Sequence, residues 1–173
     1  MSTVVSFRVA ERGDSQEIMR ALRLLAESLG VPEHLKCTKE DIETAGFGPR
    51  RELTVMLAEI DDTIAGMSLY FPIFSTWMGK AGLYIQDLFV HEEFRDDRVG
   101  EKLLRHVGQT AYHDGYRYLR LTVDNGNEAG ARFYLRHGFE ALNNETSYGL
   151  YGTAFEEFAA AETKRRSCGQ TNP

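Results

Sequence analysis

Residues 83–104 read LYIQDLFVHEEFRDDRVGEKLL, and this stretch decides the fold. Gly82–Val90 is almost continuously apolar, which predicts a central strand buried on both faces. The charged turn His91–Asp97 follows, and a helix is expected from about Arg98 to Asp114. Its stripe Val99, Leu103, Val107, Ala111 recurs at helical spacing and faces a core, with Gly115 as its stop. The first amides of such a helix lack intrahelical partners and sit at the positive dipole end, so they suit a phosphate. Arg95, Arg98, Lys102 and Arg105 add positive charge there, and Gly100 permits close approach. Neither GxxxxGK[ST] nor GxGxxG occurs, which disfavours the common nucleotide folds.

Working outward, Val4, Phe7 and Val9 open the chain as a short strand, and Asp14-Ser15 reads as a helix cap. Ile18, Leu22, Leu25 and Leu29 mark an amphipathic helix over Ser15–Leu29, broken by Gly30 and Pro32. Thr38-Lys39-Glu40-Asp41 begins a short helix with a capping box, ending at Gly46-Phe47-Gly48-Pro49. Leu53–Ile60 and Ile64–Phe74 form two strands around the turn Asp61-Asp62-Thr63. Beyond the opening stretch, Tyr118–Val123 is a further strand and Asn127–His137 a further helix, closed by Gly138. Short strands near Phe139 and at Ser147–Tyr151 are expected to finish the sheet, with helix over Ala154–Arg165. The fold class is therefore α/β: a mixed sheet flanked by helices in a single domain over residues 1–166, with 167–173 a disordered tail.

Composition narrows the function. The 173 residues are 42% hydrophobic and carry 20 basic against 26 acidic side chains, a formal net charge of −6. That suffices for one core and is a poor match to nucleic-acid binding. No apolar run reaches a membrane span and no signal peptide is legible, so a cytoplasmic protein with no membrane partner is expected. Cys37 and Cys168 lie far apart and outside any CxxC spacing, so neither a disulfide framework nor a metal site is expected. The charge is uneven. Residues 61–94 are net −4, whereas 95–137, with eight basic and six acidic groups, are net +2. A basic island on an acidic protein is a candidate for an anionic ligand, although a solvated helix face has the same composition.

Two motifs then carry a resemblance. Arg95-x-x-Arg98-x-Gly100 is similar to the [QR]-x-x-G-x-[GA] pyrophosphate loop of GNAT-superfamily N-acetyltransferases. Downstream, Asn127, Phe133, Tyr134, Gly138 and Phe139 fall at the spacing of the second signature, N-x-x-A-x-x-F-Y-x-x-x-G-F. Trp77-x-Gly79-Lys80 and Tyr84-Ile-Gln-Asp87-Leu-Phe89-Val90 narrow the likeness to the diamine (spermidine/spermine) acetyltransferase branch, over about residues 6 to 152.

The resemblance implies a GNAT-like sheet splayed between Leu83–Val90 and Tyr118–Asp124, with acetyl-CoA as co-substrate and no metal. Its pantetheine arm would pair with backbone at Leu88, Phe89 and Val90, with Asn127 close by. Its pyrophosphate would lie on Arg95, Arg98, Val99 and Gly100, with Phe133 also lining the cofactor site. Tyr134 matches the tyrosine that protonates the departing thiolate, and Asp87 is the candidate acceptor of the amine's proton. His91, Glu33 or a water chain are the alternatives. Trp77, Gln86, Asp87 and Glu33 are the candidate substrate contacts. Gln86 replaces the branch's Glu and Ser75 its acidic residue, so the site has two fewer carboxylates for a polyamine. A small amine or lysine-like amino acid fits better. A homodimer is implied by the same likeness. The alternative function is a non-catalytic CoA-binding or regulatory protein; a protein-lysine acetyltransferase is a third.

Overall fold

The structure is a computed structural model that describes residues 4–167. It divides into two compact units, residues 1–133 and 134–173.

The first unit holds a five-stranded sheet in sequential order: β1 (Ser6–Val9), β2 (Thr54–Ile60), β3 (Thr63–Ser75), β4 (Lys80–Val90) and β5 (Leu119–Leu121). The first three junctions are antiparallel, β2–β3 and β3–β4 as hairpins and β1–β2 across the segment that holds the first two helices, and β4–β5 is parallel. That parallel pair needs a crossover, which helix α3 (Val99–His113) supplies. Two further helices, α1 (Ser15–Ser28) and α2 (Lys39–Phe47), precede β2, and α4 (Glu128–Arg136) begins at the end of this unit.

Strand alternation sorts the core into two layers. On one face Val55, Leu57, Met67, Leu69 and Phe89 pack with Ile18, Met19, Ala21 and Leu22 of α1 and Ile42 of α2. On the other, α3 lies over β2, β3 and β4 and buries Val99, Leu103, Val107 and Ala111, the stripe expected from sequence. The capping box at α2 also forms: Thr38 Oγ1 accepts from the Asp41 amide (3.2 Å), and Asp41 accepts from the Thr38 amide (2.9 Å). At α1 the cap differs from expectation. Asp14 precedes the helix, but its carboxylate takes a bidentate pair of bonds from Arg8 (2.7 and 2.9 Å) and one from the Glu11 amide. A guanidinium fork outcompetes a helix amide for a carboxylate because both of its bonds are charge-assisted.

The second unit contains the end of α4 and helix α5 (Gly152–Ser167). The strands expected near Phe139 and at Ser147–Tyr151 do not form. Among the described residues the backbone of 140–150 makes no bridge to a strand, and Tyr148 and Tyr151 are exposed. Apolar-aromatic character alone does not make a strand without a partner edge to satisfy its amides. Ser167 closes α5, and the rest of the expected tail, 168–173 with Cys168, lies outside the described residues.

Candidate active site

Strand β4 is central, as expected, with Gly82, Leu83, Ile85 and Phe89 buried, but Gln86 is exposed. The strand pairs with β5 only at Leu83, Tyr84 and Ile85, so Gln86–Val90 run on with one edge unpaired by β5. A bulge accompanies the change. Tyr70 pairs with Ile85 and the adjacent Leu69 with Asp87, which leaves Gln86 as the extra residue on β4. Hydrogen bonds on either side show what the bulge does. Before it, odd-numbered residues face β5: the Leu83 amide donates to the Tyr118 carbonyl (3.0 Å), and the Ala81 carbonyl accepts from Arg117 (2.8 Å). After it, odd-numbered residues face β3, as the His91 amide bonded to the Ala65 carbonyl shows (2.9 Å). The backbone groups of Leu88 and Val90 therefore point into the open slot. Phe89, placed by sequence in the same set, has its backbone turned to β3 and its ring buried in the core.

Above the end of β4, a short 3-10 turn over Glu92–Asp97 carries Arg95 and leads to α3. Arg98 caps α3 in the left-handed region (φ 57°), where a side chain is strained and glycine is not. Its guanidinium folds back onto Glu101 (2.7 and 3.1 Å). The amides of Val99, Gly100 and Glu101 precede the first helical bond, Lys102 to the Arg98 carbonyl (3.1 Å), so they form the donor end of the helix. The Val99 side chain is fully buried and anchors this turn. A methyl group on Gly100 would meet Val90 Cγ2 at 3.4 Å and the Phe133 ring at 3.7 Å, which puts Val90, Phe133 and the start of α3 side by side. Asn127 caps α4, its Oδ1 accepting from the Gly130 amide (2.8 Å). Gly130 stands where the signature has alanine.

Asp87 sits on the sheet face shared with α1 and α2, by its register with Leu69. Burial pushes its carboxyl up to about 6. Cys37, just before α2, comes close enough for the Asp87 charge to act on it; burial first, then Asp41 and Asp87, raise its thiol. His91 falls on the same face, edge-on to Phe89 (4.9 Å). Burial and then nearby Arg20 lower its pKa, and the buried Phe89 separates it from Asp87. Gln86, the bulged residue, is exposed. Glu33 lies in the turn after α1, largely exposed and 3.6 Å from His34. Trp77 occupies the β3–β4 turn and is 100% exposed. The seven residue steps from Lys80 to Asp87 alone span roughly 23 Å of strand, so one chain does not bring Trp77 to Asp87. Among the described residues no group of three or more His, Cys, Asp or Glu is placed to hold a metal, and no helix is long and apolar enough to cross a membrane.

The sequence model of the Acetyltransferase (GNAT) family matches residues 18–139, which include the splayed strand, the α3 turn and α4. This chain belongs to the GNAT acetyltransferase family. The GNAT fold also appears in an integron cassette protein from V. cholerae, with a TM-score of 0.75 at 20% identity over 92% of this chain and 98% of that one. Among relatives, thialysine N-epsilon-acetyltransferase of Sus scrofa is 30% identical over 166 residues, covering 90% of this chain and 97% of that protein. Spermidine/spermine N(1)-acetyltransferase-like protein 1 of Homo sapiens is 26% identical over 87% of this chain and 22% of that protein. The GNAT chain described here is thus an enzyme, an N-acetyltransferase that delivers acetyl to an amine, and its family uses acetyl-CoA as co-substrate.

The donor set fits that co-substrate: slot-facing amides at Leu88 and Val90 suit the amide-rich arm, and the α3 amides suit a diphosphate. In the second unit, Tyr134, the proton donor expected from the resemblance, lies on α4 with its ring edge-on to Phe139 at 5.4 Å. Phe71 and Thr122 carry no motif, and Tyr84, which opens the β4 motif, is not among the site residues that the sequence singles out. Phe71 stacks on Tyr84 (5.3 Å, 23°), and the Tyr84 hydroxyl bonds Thr122 Oγ1 at 2.7 Å. Only the β3–β4 register, invisible in a linear pattern, brings Phe71 to Tyr84.

Proposed function

We propose that this enzyme transfers the acetyl group of acetyl-CoA to the primary amine of a small molecule by direct attack. The candidate substrates are a diamine, a polyamine or a lysine-like amino acid. The observation that carries the reading is Asp87, a carboxyl held near pKa 6 beside an unpaired stretch of strand. An alkylammonium ion must lose a proton before it attacks. At pH 7 Asp87 is mostly ionised and is basic enough to accept that proton, directly or through water. Gln86, whose amide nitrogen stands where Glu has a carboxylate oxygen, is not a base.

The amine nitrogen then forms its bond to the thioester carbonyl carbon, that nitrogen gives up its second proton to water, the carbon–sulfur bond breaks, and the thiolate takes up a proton. By resemblance Tyr134 supplies that proton. The slot-facing amides of Leu88 and Val90 hold the pantetheine arm and polarise the carbonyl, and those of Val99 and Gly100 with Arg95 and Arg98 hold the diphosphate. Asn127 and Phe133 border the arm. Thialysine as the substrate of a relative matched over 97% of its length favours the lysine-like option, as do the missing carboxylates at Ser75 and Gln86. We further read the protein as a cytoplasmic homodimer. Phe74 (65% exposed), Trp77 and Met78 (54%) make an apolar hairpin tip suited to a second copy. If Trp77 touches substrate, it does so from that tip.

Thiol release from acetyl-CoA across an amine panel, with mass detection of the acetylated product, tests the reading. Tyr134→Phe and Asp87→Asn are each expected to lower kcat by roughly 10²- to 10⁴-fold. CoA binding with no turnover on any amine supports the non-catalytic alternative instead.

A further inference from the structure

Along the α1/α2 face of β4, cover changes rung by rung. Phe89 is buried beneath the helices with Met67 and Leu69, whereas Asp87 is only half-buried. The next rung on that face is Tyr84 with its register partner Phe71, both half-buried. Their rings stack at 5.3 Å, so the surface beside Asp87 is an aromatic pair and not a charged one. The Tyr84 hydroxyl is tied to Thr122 at 2.7 Å, just where β5 stops pairing with β4. That bond fixes the ring against the chain just beyond β5.

We infer that Phe71 and Tyr84, held by Thr122, form the wall that receives the carbon chain of the amine and so determine specificity. The inference rests on the acetyltransferase reading above and selects among its substrate classes. An ammonium at Asp87 places its chain across Phe71 and Tyr84, roughly 7 Å away at two residues of strand rise. An uninterrupted methylene chain, as in a lysine-like amino acid, buries apolar surface there. The secondary ammonium of a polyamine falls on the same rings, where Gln86 supplies no carboxylate, and a cation–π contact on half-exposed rings, worth about two- to fivefold in binding, does not replace one. The favoured class is therefore a primary amine on an unbroken apolar chain.

Steady-state kinetics with ethylamine, n-pentylamine and spermidine test this. Wild-type kcat/KM is expected to be at least about tenfold higher for n-pentylamine than for ethylamine, and spermidine to fall below n-pentylamine. Phe71→Ala and Tyr84→Ala should collapse the n-pentylamine-to-ethylamine ratio towards one. Phe71→Leu, a milder change that keeps an apolar side chain, should lower the ratio only in part. Thr122→Val, which removes only the hydroxyl partner, should lower it too. A ratio unchanged in Phe71→Ala and Tyr84→Ala, or a wild-type preference for spermidine, overturns the wall. Wild type that acetylates none of the three and no other amine overturns the acetyltransferase reading, and the wall with it.

Discussion

Replacing Asp87 with asparagine should make the protein more stable at neutral pH. Burial raises the carboxyl from 3.8 to about 6, so ionising it costs free energy in the folded state that it does not cost in the unfolded chain. A difference of about 2 pKa units at 1.36 kcal/mol each corresponds to roughly 3 kcal/mol, an upper figure because Asp87 retains some solvent contact. The sign follows from the direction. Below the unfolded value both states are protonated and Asp87 imposes no penalty. As pH rises from about 4 through 6 the unfolded state ionises first, and wild-type stability falls. Asparagine does not ionise, so its advantage should grow over that window and level off above it. For a chain of this length the advantage amounts to roughly 6–12 °C in Tm. Thermal unfolding of both proteins at pH 4, 5, 6 and 7.5 measures it. An offset that stays constant with pH, or an asparagine variant less stable than wild type at pH 7.5, would refute the argument that Asp87 is desolvated. The same substitution should depress acetylation, which makes Asp87 a position where stability is lower because the group is useful.

Arg98→Gly relieves the left-handed backbone, worth about 1 kcal/mol, and loses an exposed ion pair worth a few tenths, so a gain near 0.5 kcal/mol is expected. Arg98→Ala loses the pair without relieving the strain and should be the less stable of the two by chemical denaturation. Asp14→Asn breaks the bidentate pair with Arg8, at about 1–2 kcal/mol near pH 7. The Arg8 bond holds the Asp14 pKa below 3.8, so this loss should shrink as pH falls through and below that value, which urea titrations at pH 3 and 7 would read. Ser68 Oγ is fully buried with no hydrogen-bond partner among the described residues, so Ser68→Ala should be neutral or stabilising by up to about 1 kcal/mol in the same assay.

Much of the fold was legible because local chemistry and tertiary packing agree. The stripe Val99, Leu103, Val107, Ala111 needs a core, and it has one. Thr38 and Asp41 cap a helix from within four residues, so no distant partner is required. Reading failed where a residue's behaviour depends on a partner remote in sequence. Asp14 looks like a cap until Arg8 and Glu59 converge beside it. Ser147–Tyr151 looks like a strand, but its backbone pairs with no strand among the described residues.

The site divides in the same way. The charged turn and helix start at Arg95–Gly100 were readable because the donor groups belong to consecutive residues of one helix end. The set Leu88, Phe89, Val90 was readable only as a stretch. Which of the three amides face the slot depends on the bulge at Gln86 and on where β5 stops pairing. Trp77 and Asp87 lie ten positions apart in sequence, yet a strand is extended, so proximity in sequence becomes separation in space.

By itself, then, the sequence determined the element order, the core faces and the chemical family, because periodicity, caps and motifs are properties of neighbouring residues. The tertiary structure alone decided that Asp87 is desolvated, that Leu88 and Val90 present their backbone to the slot, and that Phe71 lies on Tyr84. Those properties arise from register and burial, which exist only once separate strands have paired.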